Sequence, residues 1–293
     1  MSIATRDIKR RLKGIGGTRK LTKAMELVAA SKMRRASVAV VASRPFSSTA
    51  RHIMSRLVAA ATAEGQIVRH PLLEVRPVKR VVVVVYSANR GLCGSFNSQL
   101  STAIQRQAQL WQEQGINVNY ITFGKRVRES LVRRGAILAA DFSRPDIIKD
   151  SVEVMPLTRL VIQSFTSSDY DQVWLAFTDY VSALKQEPQV IPLLPFDASL
   201  WNVPAGDVFD YKFEPSAQEV LDAVLPRLVE VQLWQAALES LASEHASRML
   251  AMRNASDAAG DLLDELTNIF NRARQASITA EIAEISGGAA ALA

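Results

Sequence analysis

The feature that most restricts the fold of this 293-residue chain is its last quarter. After Pro226 there is no proline, and Gly260 is the only glycine before Gly287. Residues recur there at spacings of three and four: Leu221, Val224, Leu228 and Val231, then, after Gln235, Leu238, Ala242, His245, Met249, Met252, Ser256, Ala259, Leu263, Leu266, Phe270 and Ala273. A seam of that period, kept for about seven heptads, implies a left-handed coiled coil. Ser216-Ala217-Gln218-Glu219 at its start has the form of a capping box, in which hydroxyl and carboxylate each take an orphan amide. Pro226 lies about two turns further in and is expected to kink the entry. Some ~70 helical residues span roughly 105 Å, against a diameter of roughly 50 Å for a compact chain of this size. The helix is therefore expected to project from any globular body and to need a partner. Ala242, Ser256, Ala259 and Ala273 make the seam small, so each layer buries little apolar area and most of the remaining surface is expected to face water or another protein.

The partner is expected within the chain. Residues 3 to about 58 contain one proline, Pro45, and read as helix, with Ile8, Leu12 and Ile15, then Leu21, Met25 and Val28, on the apolar face. Gly14, Gly16 and Gly17 lie between those sets; each costs a helix interior about 1 kcal/mol relative to Ala, so a weak point or kink is expected. Up to residue 60 about fourteen Lys and Arg face only Asp7 and Glu26, whereas from residue 215 about five face eleven Asp and Glu. Opposite charge suits the two ends to lie side by side, setting orientation more than affinity. Both ends leave the same middle segment, so the pairing is expected to be antiparallel.

Between the helices the period changes. Val81–Val85 is an unbroken β-branched run ending in Tyr86, as in a strand covered on both faces. A turn-rich loop, 87–94, leads to a helix from about Asn97 to Gln114, stopped by Gly115. Ile116–Phe123 alternates as a second strand, and Gly124 opens a helix that Gly135 closes. Ser151–Phe165 reads as helix, Gln172–Thr178 as strand, and Pro188, Pro192 and Pro195 mark an irregular or edge segment. Strand and helix in alternation predict a parallel or mixed sheet with helices on its faces. The fold class is thus α/β with long helical extensions: an antiparallel two-helix coiled coil of the termini and an inserted Rossmann-like domain. The segments are 1–60 (first shaft helix), 61–77 (connector), 78–210 (α/β domain), 211–287 (second shaft helix) and 288–293 (tail).

Several chemistries find no support. Cys93 is the single cysteine, which excludes an internal disulfide and a CxxC motif. His52, His70 and His245 have no second ligand at helical spacing, so no metal site is expected. No apolar run reaches the ~18 residues of a membrane span. Gly14-Ile15-Gly16-Gly17-Thr18-Arg19-Lys20 lacks both the GxxxxGK[ST] order and a preceding strand. Gly91-Leu92-Cys93-Gly94 is better placed, between strand and helix, but lacks GxGxxG and an acidic residue ending the second strand; a tight structural turn is its default reading. No nucleophile–base set or paired carboxylates stand out. An α/β enzyme with helical extensions and a nucleic-acid-binding coiled coil are the alternatives. The basic helix has only Phe46 as an aromatic, against a single-strand binder.

Four blocks carry a resemblance that spans nearly the whole chain: Leu21-Thr22-Lys23-Ala24-Met25-Glu26-Leu27-Val28-Ala29-Ala30-Ser31-Lys32-Met33; Arg90-Gly91-Leu92-Cys93-Gly94 with Phe96-Asn97; Ser240 to Met252, with Ser243-Glu244-His245 and Arg248-Met249; and Asn271 to Glu281. Together they resemble the γ subunit of F-type ATP synthases, bacterial type. The resemblance implies a non-catalytic rotor shaft inside a hexamer of α and β subunits, with the α/β domain as a foot gripping the ε subunit and the c-ring. It implies no cofactor, no metal, no nucleic acid and no nucleotide on this chain, and a peripheral place at the cytoplasmic face of a bacterial inner membrane. It places coupling contacts at Met25, Arg248, Gln275, Thr279 and Glu281. Two departures stand out: Gly17 replaces the usual Asn, and Asn89 the usual Asp, which bear on the stiffness of the lower shaft and on a salt bridge at that loop. The cysteine-bearing insertion of chloroplast-type members is absent.

Overall fold

A computed structural model describes residues 3–63, 70–146, 148, 150–196, 214 and 216–292, with side chains described except at 3–5, 50–63, 217 and 288–292. The chain forms two compact units, Ser31–Ser247 and Met1–Ala30 with Arg248–Ala293.

The first unit is built on a five-stranded sheet of β1 (Arg80–Tyr86), β2 (Asn117–Phe123), β3 (Ile137–Phe142), β4 (Gln172–Tyr180) and β5 (Gln186–Leu194). The spatial order is β3-β2-β1-β4-β5, parallel except for β5, which pairs antiparallel with β4. The valine run of β1 divides by the two-residue period of a strand. Val81, Val83 and Val85 pack with Leu100, Ile104 and Trp111 of α2 (Phe96–Glu113) and with Val127 and Leu131 of α3 (Lys125–Arg133). Val82, Val84 and Tyr86 share the opposite core with Leu157, Val161 and Phe165 of α4 (Met155–Thr166) and with Leu221 to Ala242 of α5 (Ala217–Leu292). Both faces of β1 are covered, which is why its pattern is continuous rather than alternating.

The remaining elements follow local chemistry. Gly115 and Gly135 take positive φ just beyond α2 and α3, as helix-stopping glycines do. A 3-10 turn at Ser151–Val154, capped by Asp150, precedes α4, so the helix expected from Ser151 begins as a tighter turn. The proline-rich segment forms an edge strand, β5, with Pro188 opposite Thr178, Pro192 opposite Trp174 and a shift of register between Val173 and Trp174. An edge position tolerates a residue without an N–H. The sequence pattern does not predict β3, which forms the other edge with every second residue exposed.

α1 (Ile3–Ala63) and α5 are each unbroken, over 61 and 76 residues. Gly14, Gly16 and Gly17 lie inside α1, and Pro226 inside α5, without ending either helix. At the start of α5 the Glu219 amide donates to Ser216 Oγ at 3.2 Å, while the Glu219 carboxylate accepts from that hydroxyl rather than from an amide. The seam of α5 holds from Met252 through Ser256, Ala259, Leu263, Leu266, Phe270 and Ala273, all buried or half-buried. Within the first unit the expectation of a narrow seam fails. Gln235 to Ala246 are buried without interruption, because sheet, α4 and α1 enclose the helix. On α1, Leu21 and Val28, expected to face inward, are 62% and 57% exposed; Thr22, Met25 and Ala29 form the inner face instead.

Two glycine classes give opposite predictions. A Cβ at Gly14, Gly16 or Gly17 meets nothing within 4 Å, so each Gly→Ala change is expected to stabilise α1 by about 0.5–1 kcal/mol. At Gly124, φ is +118° and a Cβ would lie 2.2 Å from Ser87 O, so Gly124→Ala is expected to destabilise the chain. Urea denaturation of the four variants checks both signs.

Candidate functional site

In an open α/β sheet, ligands bind outside the carboxyl ends of the strands where strand order reverses. Here that point lies between β1 and β4. It is occupied by α5. Three serines at helical spacing each donate to a main-chain carbonyl at this end of the sheet: Ser240 to Tyr86 (3.2 Å), Ser243 to Thr178 (3.1 Å) and Ser247 to Cys93 (2.8 Å). In return the buried Tyr86 hydroxyl donates to Leu233 O at 2.9 Å. Burial pushes the Tyr86 phenol well above its usual range, keeping it a neutral donor. The small side chains of Ala236, Ala237, Ser240, Ser243 and Ala246 let the helix approach this closely.

Two ion pairs flank the serines. Arg44 of α1 donates from Nε and Nη2 to Glu239 (2.8 and 2.9 Å), and from Nη2 to Asp179 (3.1 Å) and to Tyr180 O (2.6 Å). Glu239 also accepts from the Tyr180 amide (3.0 Å) and Gln235 Nε2 (2.8 Å). Its hydrogen bond raises the Arg44 pKa above the usual value, whereas burial, followed by the Glu239 charge, raises that of Asp179. The second pair, Arg144 Nη2 with Glu244, is buried on both sides. Asn89, at the position where the resemblance leads one to expect Asp, donates from Nδ2 to Arg144 O at 2.7 Å, a bond a carboxylate would not make.

Loop 87–94 is consistent with a structural turn: Leu92 and Gly94 take positive φ, Cys93 is buried, and Asn97 Oδ1 accepts from the Ala88 amide at 3.1 Å. Arg90 lies 3.8 Å from Asp146. Among the described residues no group of three His, Cys, Asp or Glu side chains is placed to hold a metal ion. No described helix is long and apolar enough to cross a membrane. His70 lies near Asp222 and His245 is buried in α5, while the side chain of His52 lies outside the described residues.

The second unit holds the five residues expected as coupling contacts. Met25 is half-buried on the inner face of α1, and Arg248 is half-buried on α5. Gln275, Thr279 and Glu281 are exposed; Thr279 Oγ1 donates to Gln275 O at 3.0 Å, and Glu281 accepts from Ser277 at 3.3 Å. The structure thus joins Gln275 to Thr279 through one helical turn and leaves the five spread along two helices. Gly260 packs on the Arg19 guanidinium, 3.3 Å from a Cβ position. In antiparallel pairing that register sets Ile3, where α1 begins, opposite about residue 276. Beyond it every α5 residue with a described side chain except Ser277 is exposed, including Ile278, Ile282 and Ile285 at 48%, 58% and 73%. Leu21, Leu27 and Val28 of α1 are also more than half exposed. Ile278, Ile282 and Ile285 recur at four and three and so share one exposed face of α5.

A family model described as ATP synthase matches residues 4–292. The chain belongs to the ATP synthase gamma chain family. The gamma chain of Herpetosiphon aurantiacus is 43% identical over 295 residues, covering 99% of each chain, and that of Pelotomaculum thermopropionicum is 42% identical over 288 residues, covering 98% of each. The fold is shared with a chain of the Tetrahymena thermophila mitochondrial ATP synthase central stalk and c-ring (TM-score 0.61, 24% identity, 80% of this chain and 99% of that one). It is also shared with a chain of the Euglena gracilis mitochondrial ATP synthase rotor (TM-score 0.63, 17% identity, 94% of this chain and 99% of that one).

Residues that the sequence does not single out individually are Arg44, Arg144, Glu239 and the three serines. Their signal is present: serines at 240, 243 and 247 repeat at three and four along the helix. Removing one member of the buried pair leaves a charge without its counterion. Glu244→Ala is expected to cost about 3–5 kcal/mol, and Ser247→Ala about 1 kcal/mol, in urea denaturation of the chain.

Proposed function

We propose that this gamma-family chain is the central rotor shaft of a proton-translocating ATP synthase. It carries torque between a c-ring and a catalytic hexamer of α and β subunits, and performs no catalysis itself. The observation that carries this reading is the pair of long helices with exposed Leu21, Leu27, Val28, Ile278, Ile282 and Ile285. An apolar helix face of this extent is stable in water when another protein encloses it, and a hexamer ring supplies such a sleeve. The filled crevice at the carboxyl ends of β1 and β4 supports the non-catalytic part: the place where an α/β domain would hold a nucleotide contains Ser240, Ser243 and Ser247.

In this reading the α/β domain is the foot, meeting the ε subunit and the c-ring. Met25 and Arg248 contact the hexamer midway along the shaft, and Gln275, Thr279 and Glu281 contact it toward the end of α5, where that helix runs out past the start of α1. Rotation of a shaft with different faces drives the three catalytic sites through different states in turn. The bacterial relatives favour a place at the cytoplasmic face of a bacterial inner membrane, held there through partners.

Co-expression with α and β subunits of a bacterial relative tests the reading. The expected product is a complex with one copy of this chain to three of each partner. Recovery of this chain as a stable free monomer, with the α and β subunits eluting separately, would contradict it.

A further inference from the structure

The contacts of α5 in the first unit have an angular order about the helix axis. At about 100° per residue, Glu239 defines zero and Ser243, Ser247 and Ser240 follow at about 40°, 80° and 100°. Glu244 comes last, at about 140° on the same wheel. The serines point to the strand ends; one carboxylate lies on either side of them. Each is gripped from a different part of the fold, Glu239 by Arg44 of α1 and Glu244 by Arg144 of the segment after β3. Turning α5 about its own axis displaces both carboxylates from arginines that other parts of the fold hold in place, and so strains both pairs.

Alanine and serine contacts allow close approach but give little leverage against such a turn, because their atoms lie near the helix axis. The two carboxylates reach further out. Arg44 adds direction, since a guanidinium fork bonded through Nε and Nη2 fixes both angle and distance. Its further bonds to Asp179 and Tyr180 O tie the same fork to the end of β4. Helix, helix and sheet therefore meet at one side chain.

We infer that Arg44–Glu239 and Arg144–Glu244 form a rotational key that stops α5 turning in its socket, so that torque in the shaft helices reaches the α/β domain without slip. Arg44 and Arg144 are positioning residues. This rests on the rotor reading above and adds to it the place where twist passes between helix and sheet.

The test uses the chain assembled with α and β subunits, the hexamer fixed to a surface and a bead attached to the α/β domain through Leu184→Cys, a site 76% exposed. With rotation stalled by omission of nucleotide, the angular variance of the bead reports torsional compliance. Arg44→Ala is expected to raise that variance roughly two-fold, one of two arms being lost, and Arg44→Lys, which keeps the charge without the fork, to fall between. Ser247→Ala lowers stability without removing an arm and is expected to leave the variance at the wild-type value. Equal variance in wild type and Arg44→Ala, or variance that follows stability loss in all three variants, would overturn the key. Glu244→Gln provides the second arm and is read in the same way if Arg44→Ala fails to assemble. A wild-type chain that does not turn when ATP is supplied would instead contradict the rotor reading.

Discussion

The structure depends on the burial of α5 against the ends of β1 and β4. A helix that runs on for 76 residues gains little from the sheet unless it comes close, and the small residues Ala236, Ala237, Ser240, Ser243 and Ala246 permit that approach. Close approach brings the main-chain carbonyls of Tyr86, Thr178 and Cys93 out of water, and each then needs a donor. The three serine hydroxyls supply them. Unpaired, each carbonyl would cost about 1–3 kcal/mol. The packing and the polar contacts are thus one arrangement: residue size permits the approach, and the hydroxyls satisfy the carbonyls that it buries.

The same arrangement bears on function. An α/β sheet of this topology has a crevice suited to a nucleotide, and the chain fills it with its own helix. The two long helices keep apolar side chains on the surface, among them Leu21, Val28, Ile278 and Ile282. Buried ion pairs are weak evidence for stability, since their desolvation offsets much of the attraction. Their value at Glu239 and Glu244 lies in direction. They specify the angle at which α5 sits, which matters little to a static protein and a great deal to a shaft.

Much of this is legible in the sequence. The seam from Met252 to Ala273 appears in the structure as written, and the valine run of β1 is covered on both faces. The Ile137–Phe142 strand is not legible, because Ile-Leu-Ala-Ala-Asp-Phe has neither a clean alternation nor a strong β-branched run, and its pairing with β2 decides the matter. The inner face of α1 is misread at Leu21 and Val28 for a physical reason: apolar side chains on a helix signal contact, but not whether the contact lies in the same chain. For Gln235 to Ala246 the period is lost because every side of the helix is enclosed. The positions on helices of the residues proposed as coupling contacts are foreseeable, but partners absent from the chain define what they touch. The polar socket is spelled in Ser240, Ser243 and Ser247, and can be read only once the strand ends are in place.

A rotor shaft must turn within its hexamer. The direct measurement is single-molecule rotation: the chain assembled in a surface-fixed hexamer of α and β subunits, a probe on its α/β domain, and ATP added. One-way rotation with three dwell positions per revolution, set by the three catalytic sites, is expected. A probe that keeps one fixed orientation while ATP is hydrolysed would contradict it.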